Sequence, residues 1–500
     1  MSAARNPVGV VAIATLALLQ ACSTPRPLSP VVTSPLQTSW ESSASSSSAV
    51  TFSYSTSAPE AARADWWQVF QDPTLDQLMR IGLAQNLDVK LAQARIAQAR
   101  AQQRAAAAQL LPSITASGED EYTHNPTIPA GFPQTTLLGA LNASWTVDLF
   151  GQLRNAKRAA DASTRASEFD RDNSVVALLS EIATNYLQYR LYQREYVISQ
   201  RNAASQEQTV RITKLRFDEG AASRLEVEQL VSQLAITRAA VPQALEQADS
   251  ARQTLILLLA STPEQLAKEL PASVPDDPHV PMADAQVVLR TPLQVIAERP
   301  DVRAAEQRLR SAGATLRSTE AERYPQISLS ALVGQEATNW SAIGRDSSRA
   351  WSYGELLTMP IFEFGRIQAA IDQADAQQRQ AYLTYEQTVR SALEATQSAI
   401  VLYTRGWERS KQLEQALTSA HTAATLARRQ YQDGALALLN VLDAERTEYS
   451  TELSWAEAAA TTSIRLVTLY QAMGALPPEA LPPVADATKY QPNLADSRLR

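Results

Sequence analysis

Residues 137–149 read Leu-Leu-Gly-Ala-Leu-Asn-Ala-Ser-Trp-Thr-Val-Asp-Leu, and this stretch decides the fold. Its odd positions are all apolar or glycine, whereas its even positions are polar from Asn142 onward. Because side chains alternate between the two faces of a β-strand, the pattern predicts a strand with one wholly apolar face. Residues 113–123 predict a weaker partner strand, so the two form a hairpin with an apolar face that needs cover.

The same organisation occurs twice along the chain. Asp88 and Pro112 in a first run correspond to Asp301 and Pro325 in a second, since 301 − 88 = 213 and 325 − 112 = 213. Phe150-Gly151 likewise corresponds to Phe364-Gly365, with an offset of 364 − 150 = 214. So long an offset indicates duplication of a whole assembly and not a short solenoid repeat. The second copy therefore predicts its own hairpin, with strands near 326–335 and 350–363.

A very long helical pattern follows each hairpin. No proline occurs in residues 151–217 or in residues 365–431. Each pattern of about 65 residues predicts a helix roughly 100 Å long, which no single globular core needs. A helical pattern also covers residues 72–110, with a predicted break at Gly82.

A return helix follows each long helix, at residues 223–259 in the first copy and 437–473 in the second. Gly220 and Gly434 therefore mark the tips of two helix–turn–helix units. Pro242 lies inside the first return helix and is predicted to kink or break it.

The amino terminus has the pattern of a secretory signal. Arg5 precedes a short apolar stretch, which is too short to span a membrane. Leu19-Gln20-Ala21-Cys22 resembles a bacterial lipobox, which implies cleavage before Cys22 and lipid on its thiol and new amino group. Ser23, at the next position, implies by resemblance sorting to the outer membrane. The alternative is an ordinary signal peptide with an incidental cysteine.

These signals divide the chain into six segments. They are a lipoprotein signal peptide at 1–21, a lipid-anchored tether rich in serine and proline at 22–65, a first repeat at 66–260, an irregular linker at 261–298, a second repeat at 299–475 and a tail at 476–500.

Composition excludes several function classes. The net charge of −7 and the lack of basic clusters argue against nucleic acid as a partner. The three histidines lie far apart, and no nucleotide-binding, metalloprotease or nucleophile-elbow motif occurs. Asp276-Asp277-Pro278-His279 could hold a metal, although the sequence favours a solvated linker. We expect no enzyme activity, and the energy for any transport must come from another protein.

Four predicted strands are too few to close a barrel in a membrane, which takes at least about eight. Two chains would supply eight strands, and three would supply twelve. The long helices also need neighbours, because each shows only a narrow apolar stripe. A tube of strands continued by a tube of helices satisfies both requirements.

The order of the motifs resembles the outer membrane factor family, the TolC-like family, in the lipoprotein branch that is named after NodT and associated with RND efflux pumps. The motifs are Trp66-Trp67-Gln68-Val69-Phe70-Gln71-Asp72-Pro73, Leu111-Pro112, Asp148-Leu149-Phe150-Gly151, Arg299-Pro300-Asp301-Val302, Pro360-Ile361-Phe362 and Gly365-Arg366. The resemblance covers nearly all of residues 22–480.

The resemblance implies an α+β membrane protein. Its expected form is a homotrimer with a twelve-stranded β-barrel, four strands from each chain, continued by a long α-helical barrel. It implies the outer membrane of a Gram-negative bacterium, with the helices extending into the periplasm. It also implies S-diacylglycerol and N-palmitoyl groups on Cys22, a periplasmic adaptor (membrane fusion) protein and an inner-membrane RND-type pump. The expected function is a passive exit duct for small molecules.

The resemblance also implies functional residues at the periplasmic mouth. Tyr431, Asn440 and Asp443 match the positions of a gate, and three copies of Asp443 would form a carboxylate ring. Gly220 and Gly434 match the tips where the adaptor docks. The first copy has Glu226 and Gln229 at the positions of Asn440 and Asp443, since 440 − 226 = 214 and 443 − 229 = 214. These mismatches predict that the gate breaks the internal symmetry.

Two other functions remain open from the sequence. One is a duct for type I protein secretion, which shares the fold. The other is a non-conducting structural lipoprotein that spans the periplasm, which would need no amphipathic strands.

Overall fold

A computed structural model of the protein describes residues 40, 50–54, 65–123, 134–271, 273–283 and 286–477. The predicted signal peptide, Cys22 and residues 478–500 lie outside the described residues. The strands are β1 Thr51–Tyr54, β2 Ser113–Thr123, β3 Gln134–Val147, β4 Gln286–Leu289, β5 Gln326–Ala337 and β6 Arg349–Thr358. The helices are α1 Pro73–Gln85, α2 Leu87–Ala108, α3 Gln152–Asp218, α4 Arg224–Leu258, α5 Pro263–Glu269, α6 Pro292–Glu298, α7 Pro300–Glu320, α8 Arg366–Gln432 and α9 Leu438–Ala472.

The two predicted hairpins lie side by side in one antiparallel sheet, in the order β2-β3-β5-β6. Within the hairpins, Ser113 pairs with Ser144 and Gln326 pairs with Thr358. The copies meet where β3 pairs with β5. Gly334 of β5 allows the two strands to approach closely, because a Cβ there would lie 2.3 Å from the Gly139 carbonyl oxygen of β3. Strands β2 and β6 are the free edges of the sheet in a single chain.

The long helices agree with the predicted bounds to within about a residue. Helix α4 is continuous through Pro242, so a break, one of the two predicted effects of this proline, does not occur. Proline removes one backbone donor, and the packing of α4 along α3 holds the helix together without it. Among the described helices, none is both long and apolar enough to cross a membrane.

The predicted break at Gly82 is also wrong. Gly82 lies inside α1, where a Cβ would lie 2.3 Å from Ile182 Cδ1, so glycine permits close packing there. The break falls at Asn86, whose side chain accepts hydrogen bonds from the backbone N–H groups of Asp88 (2.8 Å) and Val89 (3.1 Å). Asn86 therefore ends one helix and caps the next.

A small parallel sheet lies outside the two copies. Strand β1 pairs with β4, with Thr51 opposite Gln286. Trp40 Nε1 donates a hydrogen bond to the Arg290 carbonyl at 2.8 Å. Both contacts involve residues of the segment interpreted as an extended tether, and the linker that contains β4 is more regular than its prolines indicate.

The main apolar core lies where α1, α3, α4, α8 and α9 meet. Trp67, Leu75, Tyr186 and Tyr403 are buried in it. Asp72 connects this core to the start of α1, because one carboxylate oxygen caps the helix and the other accepts a 2.6 Å hydrogen bond from the Tyr186 hydroxyl. The core packs around the middle of the long helices α3 and α8, and the tips of the hairpins lie beyond it.

Candidate functional site

The two helical hairpins end in the same backbone turn. Gly220 and Gly434 have φ values of 75° and 73°, in the left-handed region that glycine favours. The following N–H groups close each turn, with Ala221 donating to the Arg216 carbonyl at 2.7 Å and Ala435 to the Gln430 carbonyl at 2.8 Å. Both glycines are exposed, and nothing lies within 4 Å of a Cβ added to either. Backbone conformation alone therefore requires glycine at both tips.

The two tips differ in how the return helix begins. Ser223 caps α4 in a capping box, in which the Glu226 carboxylate accepts a hydrogen bond from the Ser223 N–H at 2.7 Å. The equivalent residue in the second copy is Ala437, since 437 − 223 = 214, and it has no side chain that can cap. Helix capping therefore explains why the first copy has Glu226 at the position where the second copy has Asn440. Asn440 is exposed.

The two hairpins are joined just above the tips. An apolar cluster connects them, formed by Ala203, Val210, Leu230, Leu234, Ala427, Tyr431, Leu438 and Val441. Tyr431 of α8 is buried, and its hydroxyl lies 3.3 Å from the Thr213 hydroxyl of α3. The Arg216 guanidinium lies over the Tyr431 ring, 4.8 Å from its centroid. We call Tyr431, Thr213 and Arg216 the tyrosine latch.

The tyrosine latch breaks the internal symmetry. The counterparts of Thr213 and Tyr431 are Ala427 and Phe217, since 427 − 213 = 214 and 431 − 217 = 214. Neither alanine nor phenylalanine has a hydroxyl, so the reciprocal hydrogen bond cannot form. The latch therefore joins Tyr431 of the second hairpin to Thr213 of the first, and the equivalent residues Phe217 and Ala427 cannot form a matching hydrogen bond. Resemblance pointed to Tyr431, but its partners were not found from the sequence.

Asp443 lies on α9, one helical turn beyond Asn440. Its side chain is 56% exposed and forms an ion pair with Arg446 at 2.9 Å. The predicted carboxylate therefore has its own counter-charge on the same helix. Leu436, in the turn between α8 and α9, packs against the apolar cluster.

A ladder of charges connects α8 to α9 above the latch. Arg428 Nε lies 3.0 Å from Glu445 Oε1, and the same guanidinium pairs with Glu448. His421 Nδ1 lies 2.6 Å from the other oxygen of Glu448. Glu445 is buried, and this burial raises the pKa of its carboxyl above the ordinary value although Arg428 opposes the shift. The ladder fixes the second hairpin internally, and no sequence motif indicated it.

A cavity of about 500 Å³ lies beside this ladder, between α3, α8 and α9. Arg201, His421, Glu448 and Glu452 are among its lining residues. Arg201 and Glu452 form an ion pair across it, so the lining charges are already matched.

The acidic linker segment has a structural role. Asp277 forms an ion pair with Arg194 of α3 at 2.5 Å, and the His279 carbonyl accepts a hydrogen bond from Arg190. Within the described residues, the structure groups no three side chains that could hold a metal ion.

Comparison with known proteins identifies the family. The model of the family described as "Outer membrane efflux protein" matches residues 78–261 and 291–475. The chain belongs to this family. The two matched segments coincide with the two copies, so the duplication read from the sequence is a property of the family fold.

This outer membrane efflux protein has well-matched relatives. Nodulation protein T of Rhizobium leguminosarum bv. viciae is 30% identical over 80% of this chain and 82% of that protein. Outer membrane protein OprJ of Pseudomonas aeruginosa is 28% identical over 82% of this chain and 86% of that protein. The solved structure of the outer-membrane channel OprN superposes with a TM-score of 0.80 at 31% identity, covering 88% of this chain and 97% of that one.

These matches confirm the resemblance, the fold class and the location in the outer membrane. This outer membrane efflux protein is a channel component of an efflux system. Its family consists of passive channels, which confirms that it is not an enzyme.

Proposed function

We propose that three copies of the chain form the passive exit duct of a tripartite efflux system for small molecules. The observation that carries this proposal is the four-stranded sheet with two free edges, β2 and β6. Such edges have unpaired N–H and C=O groups, which cannot face lipid. Three chains would close the sheet into a twelve-stranded barrel. A non-conducting strut would have no use for these amphipathic hairpins.

We propose that the tips of the hairpins bind a periplasmic adaptor protein, which connects the duct to an inner-membrane RND-type pump. Gly220 and Gly434 lie at the ends of helical hairpins that project from the core, and both are exposed. Their matching turns would offer six similar docking points in a trimer. Exposed apolar side chains beside the turns, Phe217, Leu225 and Leu439, would supply contact area.

We propose that the gate is the second hairpin, held closed by the tyrosine latch. Tyr431 connects this hairpin to α3, and Asn440 and Asp443 lie on the exposed side of α9 beside it. Three copies of Asp443 would bring carboxylates to the mouth and favour cations there. Opening would require the Tyr431–Thr213 contact to break in each subunit.

We propose that Cys22 is the amino-terminal residue of the mature protein and has S-diacylglycerol and N-palmitoyl groups. The lipobox-like sequence before it supports this anchor. Mass spectrometry of the amino-terminal peptide would detect the added lipid. A Cys22→Ser variant should lose that mass and keep its channel activity.

Conductance of the purified full-length protein in planar bilayers tests the channel proposal. We expect discrete steps from trimers and a preference for cations, measured as a reversal potential in a salt gradient. Asp443→Ala should lower that preference, because three carboxylates leave the mouth and Arg446 stays. Gln229→Ala, at the equivalent position of the first copy, is the matched control. If neither the wild-type protein nor Asp443→Ala conducts, the duct is excluded.

A further inference from the structure

The face of α3 that meets the second hairpin has a buried oxygen without a hydrogen-bond donor. Ser199, Gln206 and Thr213 are all buried and follow each other at intervals of seven residues, about two helical turns, so they share one face. The Ser199 hydroxyl lies 3.1 Å from that of Tyr449 on α9, and the Thr213 hydroxyl lies 3.3 Å from that of Tyr431 on α8. Gln206 lies between these two contacts, and its Oε1 atom has no donor among the described residues.

Glu445 has the matching position on α9. Val441 lies in the apolar cluster that joins the hairpins, and Tyr449 contacts α3. Glu445 lies four residues from each of them and hence on the same face of α9. Because α3 runs toward the tips and α9 runs away from them, opposed residues have a nearly constant sum, 199 + 449 = 648 for the observed contact and 206 + 445 = 651 here. Glu445 is 4% exposed, and its Oε2 atom also lacks a donor within the described part of the chain. Two buried acceptor oxygens thus lie at the same level of the junction between the hairpins.

An ionised Glu445 would leave excess negative charge in this junction. The Arg428 guanidinium lies 3.0 Å from Glu445 Oε1 and also pairs with Glu448, so one cation faces two carboxylates. His421 pairs with Glu448, but its side chain is 70% exposed, and water screens its charge. A buried carboxylate without its own counter-charge takes up a proton. In agreement, burial raises the pKa of the Glu445 carboxyl, although Arg428 opposes the shift.

The other charged groups of these helices have partners of their own. Glu452, seven residues after Glu445 on α9, pairs with Arg194 and Arg201 of α3. The remaining pairs near this level have exposed side chains and are Glu207–Arg238 between α3 and α4 and Asp443–Arg446 within α9. Arg428 is therefore the cation that contacts Glu445, and Glu448 already occupies it.

We propose that Glu445 has a proton while the hairpins are packed together, and that its Oε2 atom donates this proton in a hydrogen bond to Gln206 Oε1. We call this bond the proton link. One proton then satisfies both buried oxygens, and Glu445 Oε1 still accepts from Arg428. The counterparts of Glu445 and Gln206 are the apolar residues Val231 and Ala420, since 445 − 214 = 231 and 206 + 214 = 420, so the bond has no equivalent in the repeat. This inference rests on the proposed gate and makes the junction sensitive to pH.

The direction of the pH effect follows from proton linkage. Separation of the hairpins at the level of Glu445 hydrates this carboxyl, which then releases its proton to water at any pH above its ordinary pKa of 4.5. The closed state binds more protons than the open state, so the link is lost as the pH rises through the raised pKa. Below pH 4.5 both states keep the proton, and the link is fully present. Open probability should therefore rise with pH, about fivefold for each hydrogen bond lost and on the order of 100-fold for three subunits.

Glu445→Gln tests the link in planar bilayers, because glutamine keeps the shape and the donor but does not titrate. We expect the full-length variant to show the low open probability of the wild-type protein at pH 5 and to keep it at pH 8, where the wild-type protein opens more often. The matched control is Glu452→Gln, which removes a carboxylate one heptad further along α9, beyond the Tyr449 contact, and should keep the pH dependence. Asp443 is unchanged in all three proteins, so its own titration cancels in the comparison.

Infrared difference spectroscopy provides a readout that needs no channel. At pH 5 the wild-type protein should show the C=O band of a protonated carboxyl that is absent from Glu445→Gln, and Gln206→Leu should shift this band, because the O–H group loses its acceptor. Absence of the band, or a band that Gln206→Leu leaves in place, would overturn the proton link. Equal pH dependence of opening in the wild-type protein and Glu445→Gln would overturn it as well. A protein that shows the band and its shift but never conducts would refute the proposed duct and support the link.

Discussion

Replacing Tyr431 with phenylalanine removes one hydroxyl from the junction of the two hairpins and leaves the ring in place. The Thr213 hydroxyl, 3.3 Å away, is fully buried and loses its partner. A buried hydrogen bond of this kind contributes about 1 kcal/mol. Three subunits therefore lose about 3 kcal/mol if opening breaks the bond in each of them. We expect the ratio of open to closed channels to rise on the order of 100-fold.

Open probability in planar bilayers measures this ratio directly. The matched control is Tyr449→Phe, which removes a hydroxyl that lies 3.1 Å from Ser199 between α9 and α3. Tyr449 lies eleven residues into α9, or about 16 Å from its beginning, so a movement of the tip should leave that contact intact. Thr213→Val should also favour opening. Combined with Tyr431→Phe it should add little, because the two changes remove the same bond.

Two results would refute this reasoning. If Tyr431→Phe opens no more often than the wild-type protein, the hydroxyl pair does not hold the gate. If Tyr449→Phe has an equal effect, the hairpins separate along their length, and the latch has no special role at the tip.

Three further predictions concern stability and use thermal unfolding of the trimer in detergent. Ala260 adopts a left-handed φ of 46° where the second copy has Gly474, so Ala260→Gly should stabilise each chain by about 0.5–1 kcal/mol. Gly474→Ala should lower the melting temperature, and a fall with Ala260→Gly would contradict the strain argument. Ser223→Ala should cost about 1 kcal/mol by removing the capping box and should speed proteolysis at the first tip; unchanged cleavage would exclude a capping role. Burial, with a contribution from Glu457, raises the pKa of Glu195 to about 7 from an ordinary value of 4.5. The folded state therefore retains this proton, and the stability it confers is lost as the pH rises from 4.5 through 7. Glu195→Gln should raise the melting temperature at pH 8 and leave it nearly unchanged at pH 4, whereas an equal change at both would refute the assignment.

Sequence alone predicted the elements that have a clear period and a clear end. The long helices could be bounded because Gly151, Gly220, Gly365 and Gly434 end or begin them, and the strands because one face is apolar. Gly82 shows the limit of that reasoning. A glycine inside a helix can permit close packing as well as break the helix, and only the position of Ile182 decides between them.

Other parts of the fold depended on contacts far apart in the sequence. Strand β1 has only four residues and pairs with β4, which lies more than 200 residues away. Arg428 and Glu445 are on different helices, and their pairing follows from how α8 packs on α9. No local pattern could have indicated either contact.

The candidate site was predicted only in part from the sequence. Resemblance indicated Tyr431, Asn440 and Asp443, but not what they contact. Thr213 with Ala427 and Phe217 with Tyr431 are mismatched pairs, like Glu226 with Asn440. In a duplicated chain the framework can be the same in both copies, so a polar group present in only one copy marks a contact that is not repeated.

The start of the return helix is therefore stabilised differently at the two tips. Ser223 and Glu226 stabilise the first return helix within its own hairpin. The second return helix has Ala437 at this position, without a side-chain cap, and near the tip the tyrosine latch connects its hairpin to the first hairpin. In the proposed duct, an adaptor that binds both tips need only separate them to release the second hairpin. The first hairpin keeps its internal cap during this change. In the proposed duct, duplication would thus supply a rigid and a movable hairpin from one ancestral unit, and a few substitutions at the tips would decide which one moves.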